Sequence, residues 1–232
     1  MDSKWRETFL LHSRTDEFRA KVKEAEGIVA DALNRYRKPY VAFSGGKDST
    51  VMLHIVLKHQ PDIMVHHWDY GIYMPRQFEK EVRENAKRLG VRNLRIESSE
   101  LYYQDHKGPI WYKEFFGRVL PEYVCEGYDV VFVGLRKEES IKRRMRISKN
   151  KSLSKIKEIW PLSSWTWMDV WGYIISLELP YLSVYNVYGP VVGWDRVRFS
   201  TFFDPEFEKL GCPNLDGVLL WRHRNVNKKV SQ

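Results

Sequence analysis

Residues 40–53 (YVAFSGGKDSTVML) run from a short apolar stretch, through a polar turn with two adjacent glycines, into a second apolar stretch. The first part, 40–43, is too short for a helix and reads as a buried strand, whereas 49–59 (STVMLHIVLKH) is long enough for a helix. Gly45 and Gly46 let the backbone curl close to an anion, because neither carries a Cβ. The helix that follows turns its free N–H groups and the positive end of its dipole toward the same point. Ser44 and Ser49 add hydroxyls, Lys47 adds a point charge, and Asp48 adds a carboxylate that can cap the helix or hold a cation. The upstream glycine of the common Gly-x4-Gly-Lys-Ser/Thr phosphate loop is absent. A glycine turn with an ordinary helix cap is the alternative reading of the same residues.

The alternation continues along the chain. Residues 16–36 carry Phe18, Val22, Ala25, Val29, Ala32 and Leu33 at helical spacing. Beyond the loop, 62–68 reads as a strand, 77–89 as an amphipathic helix stopped by Gly90, and 91–97 as a strand. Residues 112–126 read as a helix, 128–133 as a buried strand running into Gly134, 157–161 as a short strand and 167–177 as a helix. Strands alternating with helices predict a doubly wound α/β sheet of about five mostly parallel strands. From Pro180 onward the periodicity fades. The expected organisation is an N-terminal helical segment (1–37), a central α/β domain (38–185) and a loop-rich C-terminal cap (186–232) packed on that domain.

Composition narrows the function classes. With 232 residues and 43% apolar content the chain can bury one large core. No stretch approaches the roughly 20 apolar residues of a membrane span, so no membrane partner is expected and a cytoplasmic protein is. The two cysteines, Cys125 and Cys212, cannot by themselves supply a four-thiolate zinc or iron–sulfur site, and no iron–sulfur cluster is expected. An excess of 38 Lys+Arg over 30 Asp+Glu makes phosphorylated small molecules and polyanions natural partners. Much of that excess lies in the run that opens on Lys142 and closes on Lys157 (KRRMRISKNKSLSKIK), about eight cations without an acid. It suits contact with a nucleic-acid backbone or an acidic protein, or a mobile loop that orders over a ligand. His66, His67 and His223 lack metal-ligand spacing and read as structural.

Four segments together resemble a known family. Residues 40–53 look like the PP-loop of the N-type ATP pyrophosphatases, the adenine nucleotide α-hydrolase superfamily, and within it the phosphoadenosine phosphosulfate (PAPS) reductase family. Trp68-Asp69-Tyr70-Gly71 follows the second strand where that family usually carries Asp-Thr-Gly. Gly134-Leu135-Arg136-Lys137-Glu138-Glu139-Ser140, with Arg143 and Arg144 after it, resembles the family's Gly-Leu-Arg loop. The segment from Trp160-Pro161-Leu162 through Trp165-Thr166-Trp167-Met168-Asp169-Val170-Trp171, then Leu179-Pro180-Tyr181 and Tyr185, resembles its Pro-Leu…Trp-Thr…Asp-Val-Trp stretch. That last stretch is assigned to packing, with Thr166 or Ser164 as helix cap.

The resemblance implies a nucleotide-binding domain over 38–185 that binds ATP with Mg²⁺, cleaves between the α- and β-phosphates and adenylylates an acceptor, in sulfur or nucleic-acid modification. It implies that Ser44, Gly45, Gly46, Lys47, Asp48, Ser49, Asp69, Gly134, Arg136 and Arg143 contact the nucleotide. Lys47, Asp48 and Arg136 carry the chemistry in this scheme, and Asp48 or Asp69 places the metal. Salt bridging of the arginines to Glu138 or Glu139 is the purely structural alternative. Two further readings stand beside it. One is a sulfonucleotide reductase that holds an adenylyl sulfate nucleotide; the family's C-terminal Glu-Cys-Gly-Leu-His tail is not matched, and Cys212 sits in Leu210-Gly211-Cys212-Pro213-Asn214. The other is a non-catalytic nucleotide-binding subunit of a homo-oligomer or larger complex.

Overall fold

Five strands build the sheet: β1 (Pro39–Ala42), β2 (Met64–Trp68), β3 (Asn93–Glu97), β4 (Val130–Val133) and β5 (Lys157–Ile159). In the computed structural model, which describes residues 1–71, 74, 76–103, 113–152 and 154–197, they lie in the order β3-β2-β1-β4-β5. All four pairings are parallel. Val41 of β1 stands opposite Val65 of β2 and Phe132 of β4, and all three are fully buried. A central strand covered on both faces has no polar side, which is why 40–43 carries no alternation.

The helices are α1 (Ser3–His12), α2 (Asp16–Arg35), α3 (Lys47–His59), α4 (Arg76–Arg88), α5 (Leu120–Cys125), α6 (Ile141–Ser148), α7 (Trp167–Ser176) and α8 (Val184–Val192). The expected α/β alternation is present, with differences at the ends of elements and elsewhere. The helix expected over 112–126 is present over 113–125, with a π-helical turn, Phe115–Val119, leading into α5. The basic run, read as a loop or backbone-tracking segment, begins as α6; its only buried residue is Ile147, too little for a periodic signal. The fading periodicity after Pro180 conceals α8, which contains Pro190. Residues 198–232, most of the expected C-terminal cap, lie outside the described residues.

The N-terminal helices are part of the same core. Phe9 of α1 is fully buried, stacked 6.1 Å from Trp171 and edge-on to Trp167 and Trp194 at 6.0 and 6.3 Å. Asp169 closes a capping box with Thr166, which of the two expected caps, Thr166 and Ser164, is the one that serves: its carboxylate accepts from the Thr166 N–H at 2.6 Å while the Thr166 hydroxyl accepts from the Asp169 N–H. The same carboxylate receives His12 at 2.7 Å and Lys21 at 3.0 Å, so one buried acid joins α1, α2 and α7. Burial alone would raise its pKa; the Thr166 N–H, His12 and Lys21 outweigh that and hold it below the usual carboxylate range.

A depressed folded-state pKa stabilises the protein above the unfolded value, near 4, and that contribution is lost as pH falls below it. Asp169→Ala should therefore cost about 2–3 kcal/mol near neutrality, since it removes a buried charged acceptor together with its capping box. Urea unfolding at a series of pH values should show the gap between variant and wild type narrowing below about pH 4.

Candidate functional site

The strand order reverses at β1. The chain passes from β1 to β2 and β3 on one side, then crosses back to β4 and β5 on the other. Open parallel sheets hold ligands outside the carboxyl ends of the strands at such a reversal. The double-glycine turn lies there, between β1 and α3, and the loop after β4 lies next to it. Gly45 has φ +82°, and a Cβ on it would stand 2.5 Å from Val82 Cγ2 of α4. A Cβ on Gly134 would stand 2.9 Å from the backbone of Asp48 and Ser49. Both glycines are thus required by close approach: one seats the turn on α4, the other lets the exit of β4 lie against the first turn of α3.

Inside the turn, the Ser49 hydroxyl donates to the Gly46 carbonyl at 2.9 Å and lies 3.1 Å from the Ser44 hydroxyl. The Ser44 hydroxyl accepts from the Gly46 N–H at 3.3 Å. Lys47 and Asp48 belong to α3 itself rather than to the turn. Lys47 is 1% exposed. Its ammonium donates to Asp48 at 3.2 Å and to the Val197 carbonyl at 3.1 Å, and its backbone N–H donates to the Tyr185 hydroxyl at 3.2 Å. Burial lowers its pKa despite the neighbouring Asp48.

Arg136, 2% exposed, donates through Nε to Asp48 and through Nη1 to Glu138. Burial would raise the Asp48 pKa, but Arg136 and Lys47 together hold it well below the usual range, and Asp48 in turn keeps Arg136 charged. Glu138 also accepts the Trp167 N–H at 2.7 Å. Glu139 accepts the Arg136 N–H at 2.9 Å and pairs with Arg143. The Arg136 and Arg143 guanidiniums are therefore in salt bridges to Glu138 and Glu139, and Arg136 in one to Asp48 as well.

Asp69 lies at the end of β2, 7% exposed. Its carboxylate is gripped by both terminal nitrogens of Arg76, at 2.6 and 2.7 Å, by Arg83 at 2.8 Å and by the Gly71 N–H at 2.9 Å. Arg83 also donates to Glu79, whose carboxylate faces His67 Nε2 at 3.0 Å, and His67 Nδ1 faces the Phe43 carbonyl at 2.9 Å. This chain of contacts from α4 to the end of β1 was not anticipated from sequence. Its one sequence trace is the i,i+4 spacing of Glu79 and Arg83. His66 and His67 are buried within the fold, as their spacing suggested; burial pushes His66 down to about 3.

The two carboxylates expected at a metal are each already paired with cations. Among the described residues no group of three or more His, Cys, Asp or Glu side chains could hold a metal ion. A Mg²⁺ that arrived on phosphates would need only one or two protein carboxylates, and Asp48 is the carboxylate beside the turn. Cys125 is an exposed free thiol on α5; Cys212 and His223 lie outside the described residues. No helix among the described residues is long and apolar enough to cross a membrane.

Comparison with known proteins agrees with this architecture. The family profile of the phosphoadenosine phosphosulfate reductase domain matches residues 38–217, beyond the boundary at 185. An uncharacterized protein of Methanocaldococcus jannaschii is 29% identical over 200 residues, 80% of this chain, which spans only 40% of that protein's length. An adenosine 5'-phosphosulfate reductase of Bacillus mycoides is 27% identical over 207 residues, 83% of this chain and 85% of the relative. Two solved structures share the fold. A PAPS reductase from Candida auris superposes with a TM-score of 0.52 at 19% identity, covering 75% of this chain and 92% of that one. The U34-tRNA thiolase of Methanococcus maripaludis, solved with its 4Fe–4S cluster, gives 0.51 at 18% identity over 72% of this chain and 66% of that one. With more than three quarters of its length matched, the chain belongs to the phosphoadenosine phosphosulfate reductase family.

Proposed function

We propose that this protein binds ATP at the double-glycine turn and transfers its adenylyl group to an acceptor, releasing pyrophosphate. The observation that carries the reading is the burial of two cations, Lys47 and Arg136, on either side of Asp48 at the carboxyl end of the central strand. Cations fixed in a water-poor site act on developing negative charge far more strongly than they would in water. In this scheme the acceptor attacks the α-phosphorus, the bond to the β-bridging oxygen breaks, and pyrophosphate departs. The acceptor's proton passes to solvent or to a group on the acceptor side. Ser44, Gly45, Gly46 and Ser49 cradle the phosphates, and Lys47 and Arg136 balance the charge that builds on the leaving group. Burial fixes the Lys47 ammonium in place, so that it can meet a phosphate oxygen without reorganising. Magnesium, if bound with the nucleotide, would supply further charge neutralisation, and Asp48 is the residue that would hold it. Gly134 keeps the second loop close to the first, and Arg143 on the helix after that loop is a further cation for the nucleotide; Asp69 holds Arg76 and Arg83 at the rim, where a ribose hydroxyl or phosphate oxygen can meet them. Residues 38–185 form the core of this nucleotide domain.

A second reading is favoured by relatives named adenosine 5'-phosphosulfate reductase, one of which aligns with 83% of this chain. Here the turn holds an adenylyl sulfate, and the Cys212 thiolate attacks its sulfur with release of the nucleotide monophosphate. The two readings separate by product: pyrophosphate released from ATP belongs to the first and reduction of an adenylyl sulfate to the second, within which undiminished reduction by Cys212→Ser excludes that cysteine as nucleophile.

Calorimetric titration with ATP–Mg²⁺ and with PAPS, alongside an assay of pyrophosphate release, tests the leading reading. Lys47→Met keeps the buried stem and removes the charge; it should lower turnover by about a hundredfold or more while the far-UV spectrum is unchanged. Turnover retained by the folded variant sinks the assignment. ATP binding without turnover in the wild type points instead to a binding subunit. Gly45→Ala should weaken ATP binding by about tenfold or more, since the added methyl meets Val82 and the backbone there has positive φ. The same titration reads it out.

A further inference from the structure

We infer that the outer face of α6 and the segment after it form a docking surface for the phosphate backbone of a polynucleotide, which lies beside the proposed nucleotide site. Four observations support this. The first is the division of labour around the helix. Ile147 is buried, Arg146 is paired with Glu158 and Arg143 with Glu139, so these side chains fasten α6 to the domain. Lys142, Arg144, Met145 and Lys149 remain exposed, with Lys151 and Lys155 beyond them and Lys137 before them.

The second is charge without compensation. Lys137, Arg144, Lys149, Lys151 and Lys155 have no carboxylate partner among the described residues. That differs from α4, whose Arg76 and Arg83 are bonded to Asp69. Clustered cations of this kind attract polyanions and release condensed counterions on contact.

The third is the chemistry of the face. Its exposed apolar side chains are Ile141 and Met145, 74% and 50% exposed, one turn apart. Two such residues make too small an apolar centre for a protein interface, and lysine is depleted in such interfaces. Lysine-rich surfaces with little apolar area suit phosphates instead, and the two apolar side chains can pack against sugars or unstacked bases.

The fourth is position. Ser140 caps α6 by accepting the Arg143 N–H at 3.2 Å. Glu139 accepts the Arg136 N–H and pairs with Arg143, so one carboxylate ties the helix to the loop that carries Arg136. A strand held along α6 therefore passes the loop that carries Arg136, whose guanidinium reaches Asp48 beside the double-glycine turn, and its bases or ends can serve as the adenylyl acceptor. Only that last step rests on the proposed adenylyl transfer; the docking itself does not.

The test is fluorescence anisotropy of end-labelled single-stranded RNA and single-stranded DNA, of mixed sequence and about 20 nucleotides, titrated with the full chain at several salt concentrations. The triple variant Lys142→Gln, Arg144→Gln, Lys149→Gln should bind at least about tenfold more weakly, and its log–log salt slope should be shallower by about 2, from three contacts at about 0.7 each. A second variant, Lys149→Glu, Lys151→Glu, Lys155→Glu, lies outside the helix except at its end and should do the same. ATP binding by both should match the wild type, which separates failure of this surface from failure of the nucleotide site. A control variant on the N-terminal helical region, Arg14→Gln, Lys23→Gln, Arg35→Gln, should bind as the wild type does. Preference for RNA or for DNA identifies the source of the phosphates. Equal weakening in the control, no binding of either polynucleotide by the wild type, or tighter binding of a labelled polyglutamate than of either would overturn the proposal.

Discussion

Arg136 and Asp48 form the contact on which the two halves of this site depend. Asp48 rides on the first turn of the helix that follows the central strand, and Arg136 on the loop that leaves β4. They can pair only because Gly134 lets that loop approach the helix backbone. Removing one member of such a pair strands a buried charge, at a cost of about 3–5 kcal/mol. The connections do not end there. Glu138 holds Arg136 with one hand and the first N–H of α7 with the other, and α7 carries the tryptophans that receive α1. Electrostatics at the carboxyl edge of the sheet are thereby coupled to aromatic packing at the N-terminal helices, and neither can be altered in isolation.

The opposite flank of the turn is held differently. Val82 presses on Gly45, while Glu79 bridges Arg83 to His67 and His67 reaches the Phe43 carbonyl. The turn is thus clamped by an apolar contact and a buried polar chain on the α4 side, and by an ion pair on the β4 side. This is the kind of over-determined surround that a pre-organised binding loop requires, since the energy of ordering it is met during folding rather than at ligand binding.

Sequence reasoning reached the parts of this arrangement that rest on local chemistry. The strand–turn–helix at 40–59 was legible because a four-residue apolar run cannot be a helix and two glycines cannot be idle there. Thr166 was legible as a cap because its hydroxyl precedes an apolar helix by one position. The Arg136 loop was legible through resemblance. What escaped depends on tertiary context. Helix α1 has little amphipathic pattern, and only its Phe9 is fully buried, by residues more than 150 positions away. The α6 helix buries one side chain, so its cations masked its periodicity. That Asp69 would face two arginines, or that the Lys47 amide would meet a tyrosine hydroxyl 138 positions downstream, follows only from how α4 and α8 fold back over the turn.

Helix α1 has one more implication, for the order of events on the ribosome. Beyond Trp5 on its own helix, Phe9 is covered by Trp167, Trp171 and Trp194, and its neighbour His12 meets the carboxylate of Asp169. Helix α1 is therefore synthesised well before the surface it docks on, by a delay on the order of ten seconds or more at a typical 5–20 residues per second. During that interval Trp5 and Phe9 stay uncovered beside an unfinished parallel sheet, so translation speed through the middle of the message governs how long those rings remain exposed.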